Sequence, residues 1–147
     1  MKSCLVVAAL AGCSGGWLND ARVLVDGVHA AATDCRTRIC RHNENTDLAA
    51  FDGATYLVHR TAMSQVLGPN SSLVVSRSDD HGRTWQRLAV IPAIEGRDLR
   101  DPSFYRIGDQ LAIKALTRRQ VNSLRDRDVD TIAVATTSAD AGRTWSP

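Results

Sequence analysis

One octapeptide occurs twice in this chain, and its recurrence constrains the fold more than any other feature. The first copy is Ser78–Trp85 and the second is Ser138–Trp145, sixty positions further on, and both read S-x-D-x-G-x-T-W. Self-similarity at a fixed interval is typical of folds that are assembled from repeated supersecondary units. We therefore expect two structurally equivalent units, in each of which the octapeptide follows a β-rich run.

The residue types of the octapeptide predict a tight β-turn. The aspartate can accept hydrogen bonds from backbone N–H groups of its own turn, and the glycine two positions later can adopt a positive φ. The tryptophan brings a large apolar surface to the start of the next strand. We assign a structural role to the fixed positions of both copies, which are Ser78, Asp80, Gly82, Thr84, Trp85, Ser138, Asp140, Gly142, Thr144 and Trp145.

The segments that flank the octapeptides predict β-strands, and no segment shows a sustained helical period. Short apolar runs are separated by turn residues such as Asp52-Gly53 and Gly108-Asp109, as in antiparallel hairpins. The sequence thus predicts an all-β chain. The expected strands are 47–51, 56–60, 72–77 and 86–91 in the first unit, and 103–107, 111–116 and 131–137 in the second.

Both octapeptides resemble the Asp-box, or BNR repeat, of sialidases and related β-propellers. The resemblance implies a partial propeller over residues 41–147, with about two four-stranded antiparallel blades and Asp-box turns between the third and fourth strands. Propellers close with four to eight blades. We therefore expect the 147 residues to be the N-terminal part of a longer protein. Asp-boxes also occur in propellers that are not enzymes.

Antiparallel connectivity predicts that the two ends of each blade carry different loops. The hairpin turns and the octapeptides should lie at one end. The opposite end should receive four polar and charged segments, which are residues 41–47, 60–71, 96–102 and 117–128. Longer loops on a rigid scaffold are where binding usually resides, so this end is the expected ligand side. Solvated surface charge is the alternative interpretation of each single residue.

The expected ligand is a glycan, because sialidase-like enzymes hold a sugar carboxylate with arginines, whose planar guanidinium pairs with it bidentately. The candidate catalytic carboxylates are Asp47 and Asp101. Arg38-Ile39-Cys40 is loosely similar to the sialidase Arg-Ile-Pro segment, with Cys in place of Pro. The candidate substrate-binding residues are Arg38, Arg41, His42, Asn43, Arg60, Arg100 and Arg118.

The first hypothesis for function is an exo-sialidase-like glycoside hydrolase. The family implies an acid/base aspartate in the first blade's long loop, yet residues 61–72 contain neither Asp nor Glu. That departure favours two alternatives: a non-catalytic propeller that binds glycans or a protein at the cell surface, or a hydrolase that acts on another glycan through a carboxylate pair. We expect no cofactor and no metal site, and the net charge of +2 does not indicate nucleic acid.

The pattern of residues 1–13 indicates a processing signal, and we expect residues 14–40 to lead into the propeller. Lys2 is followed by a short apolar run. Leu10-Ala11-Gly12-Cys13 resembles the lipobox of bacterial lipoproteins, which implies lipidation of Cys13, a membrane anchor and export, with the outer membrane or periplasm as the location. A plain secretory signal or a buried apolar strand is the alternative.

Cys35 and Cys40 would remain after removal of such a signal. In an oxidising compartment a local disulfide between them is reasonable, and two free buried thiols are the alternative. The sequence leaves both possibilities open.

Overall fold

The computed structural model describes residues 24–25, 34–121 and 129–147, which form two antiparallel sheets. The first sheet has four strands in the order β1-β2-β3-β4, and the second has three in the order β5-β6-β7. The all-β prediction is confirmed, and the two sheets are consistent with part of a propeller. The strands are β1 (His42–Phe51), β2 (Ala54–Ala62), β3 (Ser72–Ser78), β4 (Gln86–Pro92), β5 (Asp98–Ile107), β6 (Gln110–Gln120) and β7 (Val129–Ser138).

The first strand of each sheet begins earlier than the sequence predicted. β1 begins at His42 and β5 at Asp98, so the polar segments 41–47 and 96–102 are largely strand rather than loop. Each of these strands contains a β-bulge, where the pairing register shifts between Glu44 and Thr46 in β1 and between Arg100 and Ser103 in β5. A bulge inserts an extra residue without ending the ladder, which is why a polar run can continue into a strand.

The apolar core lies between the facing surfaces of the two sheets. Tyr56 is fully buried at its centre and makes edge-to-face contacts with Phe51 and Phe104, with ring centroids 6.2 and 6.4 Å apart. Fully burying an apolar side chain such as Val, Leu, Ile or Phe contributes roughly 1.5–3 kcal/mol. The other buried members of the core are Ala54, Val58, Leu73, Val75, Ala93, Leu99, Leu111, Ile113 and Ala115.

The first octapeptide forms a turn that is closed by its own side chains. Asp80 accepts hydrogen bonds from the backbone N–H of Thr84 at 2.8 Å and from its hydroxyl at 2.7 Å. Ser78 Oγ accepts from the N–H of Gly82 at 2.7 Å. Trp85 Nε1 donates to the carbonyl of Gly82 at 3.1 Å. The residues at the fixed positions of the octapeptide are therefore the ones that form the hydrogen bonds of the turn.

The second octapeptide forms the same hydrogen bonds and also packs against the first sheet. Asp140 accepts from the Thr144 N–H at 2.8 Å and from its hydroxyl at 2.6 Å, and φ at Gly142 is 85°, as at Gly82. Tyr56 of β2 donates through its hydroxyl to the carbonyl of Ala141 at 3.2 Å. The second turn thus helps to fix one sheet against the other.

A disulfide joins Cys35 and Cys40 in the segment that leads into β1. Both cysteines are buried, and the N–H of Cys40 donates to Thr61 Oγ1 at 2.8 Å. Of the two possibilities that the sequence left open, the structure has the disulfide. Residues 1–13, including Cys13, lie outside the described residues. No helix in the described ranges is long and apolar enough to cross a membrane.

Candidate functional site

The turns lie at one end of the sheets, and a polar cluster lies at the other. We use the name polar cluster for Glu44, Asn45, Arg60, Asp98, Arg100 and Asp101, which are joined by hydrogen bonds. Ser72 pairs with Thr61 on one side and Pro92 on the other, so β2 and β4 end where β3 begins. Asp98 pairs with Arg118 in the same way in the second sheet. We call the end at which β1, β3, β5 and β7 begin the loop end. The hairpin turns and both octapeptides lie at the other end, as the connectivity predicted.

Arg60, at the loop end of β2, is a buried link between the two sheets. Its side chain is fully buried, and Nε and Nη2 donate to the two carboxylate oxygens of Asp98 on β5 at 2.9 and 3.0 Å. Nη1 donates to Glu44 at 2.8 Å, and Nη2 also donates to the carbonyl of Ser64 at 2.9 Å. A buried arginine needs such partners, because an unpaired charge in the interior is costly. Arg60 was predicted to bind substrate; its guanidinium is enclosed, and each of its three nitrogens donates to a protein group.

Arg100 holds the loop between β2 and β3 rather than projecting freely. It donates to the carbonyls of Gln65 at 2.7 Å and Val66 at 3.0 Å, and Nη2 lies 3.4 Å from a Glu44 oxygen. Its side chain is 14% exposed. At Gly68 a Cβ would lie 2.8 Å from the Cβ of Ala62, so this loop packs closely on the end of β2. Arg100 thus lies at the loop end as predicted, but most of its donors serve the protein.

The bulges of β1 and β5 face each other and hold two polar residues together. Asn45 and Asp101 both have positive φ, 52° and 49°. Asn45 Nδ2 donates to Asp101 Oδ1 at 2.7 Å. The Oδ1 atom of Asn45 is buried, with no hydrogen-bond partner among the described residues, whereas Asp101 is exposed. Left-handed conformations at residues other than glycine are unfavourable and cluster at functional sites.

The second candidate carboxylate, Asp47, has a structural contact. It accepts a hydrogen bond from the backbone N–H of Phe104 at 2.7 Å, and this bond joins β1 to β5. Both carboxylates lie on these two strands, which are in contact. Asp101 is the exposed one of the two, and it lies directly at a bulge.

The other predicted binding residues lie just before β1 and at its start. Arg38 and Arg41 are exposed, and His42 is half-buried. Asn43 Nδ2 donates to the carbonyl of Cys40 at 2.8 Å, which fixes the lead-in segment to the start of β1.

Arg118 lies at the loop end of β6, beside a small cavity of about 160 Å³ that is also lined by Leu67, Pro69 and Asp98. Its Nε atom is buried and has no hydrogen-bond partner in the described part of the chain. The cavity borders the polar cluster at Asp98, which also binds Arg60. Arg118 therefore remains a candidate for contact with a ligand at the edge of the cluster.

Sequence reasoning missed the importance of Glu44, Asn45 and Asp98. They lie in the polar runs His-Asn-Glu-Asn-Thr-Asp and Arg-Asp-Leu-Arg-Asp, which were interpreted as loops. The density of polar residues immediately before an apolar strand was the available signal. Which of them face inward depends on the bulges, and residue patterns do not reveal a bulge position. No group of three or more His, Cys, Asp or Glu in the described ranges could hold a metal ion.

Comparison with known proteins gives a weak likeness in structure. No family model matches the chain, and no curated protein matches it. Among solved structures it is similar to the Trypanosoma rangeli sialidase in complex with sialic acid, at 15% identity and a TM-score of 0.44. The match covers 71% of this chain and 19% of that one, so the chain spans about a fifth of the sialidase. A likeness of this size carries no argument about activity.

Proposed function

We propose that the chain is part of a glycan-active protein of sialidase-like type, a glycoside hydrolase whose sugar lies at the loop end over β1 and β5. The observation that carries the proposal is the pair of facing bulges, which place the exposed Asp101 against the amide of Asn45. Bulges re-aim side chains and are over-represented next to active sites. The sialidase-like resemblance of the two octapeptides adds to this proposal.

In this proposal Asp101 is the carboxylate that exchanges a proton with the glycosidic oxygen or with water. Such a carboxylate must be held in a fixed orientation within hydrogen-bond reach of the sugar. The hydrogen bond from Asn45 Nδ2 provides that orientation from the opposite strand. Glu44 lies next to Asn45 on β1 and is shared by Arg60 and Arg100.

The substrate class that fits this cluster best is a polar glycan other than a simple sialoside. A sialoside needs arginines that are free to bind its carboxylate. Arg60 is enclosed, and Arg100 is occupied by two backbone carbonyls. The third candidate cation in this region, Arg118, lies at the edge of the cluster.

The test is a panel of fluorogenic glycosides, one sialoside and several neutral sugars and uronides, assayed with the protein and with two variants. Asp101→Asn keeps the shape of the side chain and removes its acid/base function. Asp109→Asn is the matched control, because Asp109 is an exposed aspartate in the turn at the opposite end of β5. We expect Asp101→Asn to lower kcat at least a hundredfold, and Asp109→Asn to leave kcat unchanged.

A second candidate function is non-catalytic glycan binding, and the engagement of Arg60, Arg100 and Asp47 by protein groups favours it. Glycan-array binding without turnover of any glycoside, weakened by Asp101→Asn and not by Asp109→Asn, would establish this function. Equal activity in the wild type and Asp101→Asn would overturn the catalytic role of Asp101.

We further propose that the protein is exported and lipid-anchored through Cys13. The buried disulfide between Cys35 and Cys40 supports this, since structural disulfides persist in oxidising compartments. Labelled fatty acid should be incorporated into the wild type and into Cys4→Ser, but not into Cys13→Ser. Label retained by Cys13→Ser would contradict the anchor.

A further inference from the structure

The small cavity beside Arg118 is formed by parts of both sheets at the loop end. Its volume is about 160 Å³. Its walls are Leu67 and Pro69 from the loop after β2, Gly96 and Asp98 from the segment that enters β5, and residues 118–120 at the end of β6. Sites that hold a whole small ligand usually enclose roughly 300–1,000 Å³. This cavity therefore has room for one substituent of a larger ligand.

Arg118 brings to the cavity a hydrogen-bond donor that the described part of the chain does not use. Its Nε–H group is buried, and no acceptor among the described residues receives it. Buried donors are normally paired, because a donor without a partner has lost its water and gained nothing in exchange. The unpaired Nε–H of Arg118 thus indicates a place for an acceptor from outside the described residues.

The two acidic residues nearest to this cavity in the fold are engaged by other arginines. Asp98 accepts hydrogen bonds from Arg60 at 2.9 and 3.0 Å. Asp130 accepts a hydrogen bond from Arg97 at 2.8 Å. Both carboxylates are therefore paired without Arg118, and the positive charge of Arg118 is left for a ligand.

The lining of the cavity suits a carboxylate that is attached to a sugar ring. A guanidinium pairs with a carboxylate through parallel, charge-assisted hydrogen bonds. Arg119 lines the same cavity with its side chain 59% exposed, and it adds a second positive charge at the rim. Leu67 and Pro69 provide an apolar surface for the C–H groups of the ring. Positive charge beside an apolar wall favours an acidic sugar over a neutral one.

The distance between the cavity and Asp101 decides which acidic sugar fits. Asp98 lines the cavity, and Asp101 lies three residues further along β5, which is at most about 10 Å at roughly 3.3 Å per residue. In a sialoside the carboxylate is attached to the anomeric carbon, so it would lie beside Asp101 and not in the cavity. A uronic acid residue next to the reacting sugar carries its carboxylate away from the reacting bond.

We propose that this cavity is a subsite for the carboxylate of a uronic acid residue, adjacent in the glycan to the sugar held at Asp101. Arg118 donates to the carboxylate, Arg119 adds charge at the rim, and Leu67 and Pro69 contact the sugar ring. The place of the uronate within the glycan rests on the proposed function, whereas the carboxylate site itself does not.

The experiment follows the arginine Nε–H signals of the full chain by NMR during titration with methyl glucuronide or methyl glucoside, which differ only in the carboxylate. We expect the glucuronide to bind roughly tenfold more tightly and to shift the Nε–H signal of Arg118. That signal is assigned by its absence from both Arg118→Gln and Arg118→Lys. The preference for the glucuronide should be lost in Arg118→Gln. It should persist in the matched control Arg87→Gln, because Arg87 is an exposed arginine of β4.

Equal affinity of the wild type for the two probes would overturn the proposal, and so would a preference that Arg118→Gln retains. Inorganic sulfate and a methyl sialoside test the assignment to a uronate. If either one shifts the Arg118 signal with the same affinity as the glucuronide, the site does not select a uronate and the proposal is wrong.

Asp101→Asn separates this inference from the proposed function. The variant should keep the preference for the glucuronide, because the carboxylate site does not include Asp101. If no glycoside is turned over and the preference is present, the proposed catalysis fails and the subsite stands. If Asp101-dependent turnover is found without the preference, the subsite fails and the catalysis stands.

Discussion

His59 is the most unusual single residue of the structure. It lies in the middle of β2 and is 2% exposed, and neither ring nitrogen has a hydrogen-bond partner in the described part of the chain. Burial lowers the pKa of His59 to about 4, because the charged imidazolium is disfavoured away from water. The folded protein therefore holds His59 neutral at pH values where the unfolded chain would protonate it.

We predict that His59 makes the protein less stable as the pH falls. The unfolded histidine takes up a proton near pH 6.5 and the folded one near pH 4. Its contribution is therefore complete above pH 6.5 and is lost between 6.5 and 4, by up to about 3 kcal/mol at about 1.4 kcal/mol per pH unit. His59→Leu should flatten the free energy of unfolding over this window in urea titrations at each pH. His81→Asn, at an exposed turn position, should retain the slope, and an unchanged slope in His59→Leu would refute the assignment.

Gly142 tests the packing of the second octapeptide turn against the first sheet. Its φ is 85°, and a Cβ there would lie 3.2 Å from Cε1 of Tyr56 and 3.4 Å from Cδ1 of Leu88. At Gly53, with φ 76°, a Cβ would meet nothing within 4 Å. Both Ala substitutions incur the left-handed penalty of about 1 kcal/mol. Gly142→Ala should cost about 1 kcal/mol more, from overpacking, in chemical denaturation; equal losses would show that the turn is free to move.

At the scale of elements, the sequence predicted the strands and their order but not their irregularities. Hairpin turns such as Asp52-Gly53 and the two octapeptides carry local chemistry that fixes their conformation, so their positions could be predicted from residues alone. The bulges at Asn45 and Asp101 depend on contacts between strands 56 positions apart. Local propensity contains no information about such contacts, and for this reason the site residues Glu44 and Asp98 were assigned to loops.

The sequence predicted at which end of the sheets the site lies, but it did not predict the chemistry of the site. Residue types located the charged segments, and antiparallel connectivity placed them together at the loop end. Which charges are free was not predictable, because it depends on burial. Arg60 and Arg100 are equally polar in sequence, yet one is enclosed and the other binds loop carbonyls.

The bulge of β1 predicts that glycine is more stable than alanine at Asn45, which is the reverse of the order at an ordinary strand position. Asn45 has φ 52°, a conformation that glycine adopts freely and alanine resists. Both Asn45→Gly and Asn45→Ala lose the bond to Asp101, so their difference isolates the backbone. We expect Ala to be about 1 kcal/mol less stable than Gly at this position. At Ala50, an exposed strand position of β1, Gly should instead be the less stable residue. The same order at both positions, measured by thermal unfolding, would rule out a left-handed bulge in solution.

At the scale of the whole molecule, two buried arginines act on one segment: Arg97 anchors it to the second sheet, and Arg60 of the first sheet binds the next residue, Asp98. Arg97 donates to Thr117 Oγ1 at 2.6 Å and to Asp130 at 2.8 Å, which attaches the linker to the second sheet. The hydrogen bond that Arg97 donates to Asp130 lowers the pKa of Asp130. The next residue, Asp98, accepts both hydrogen bonds from Arg60 of the first sheet. Adjacent residues of one segment therefore bind opposite sheets, and the relative position of the sheets is set by charge as well as by the apolar core.

This arrangement predicts that the Arg60–Asp98 pair couples the two sheets into one cooperative unit. Asp98→Ala leaves a buried guanidinium without its bidentate partner and should cost about 3–5 kcal/mol. In the double variant Arg60→Leu with Asp98→Leu the unpaired charge is absent, so the loss of stability should be smaller than in Asp98→Ala.

Hydrogen exchange is the decisive measurement of this coupling. In the wild type, amides of β3 and β6 should exchange with one common free energy of opening. In Asp98→Ala the β6 amides should open at lower free energy than those of β3. If the β3 and β6 amides already exchange with different free energies of opening in the wild type, the prediction is wrong. The pair, the apolar core and the second octapeptide turn would then not join the two sheets into one cooperative unit.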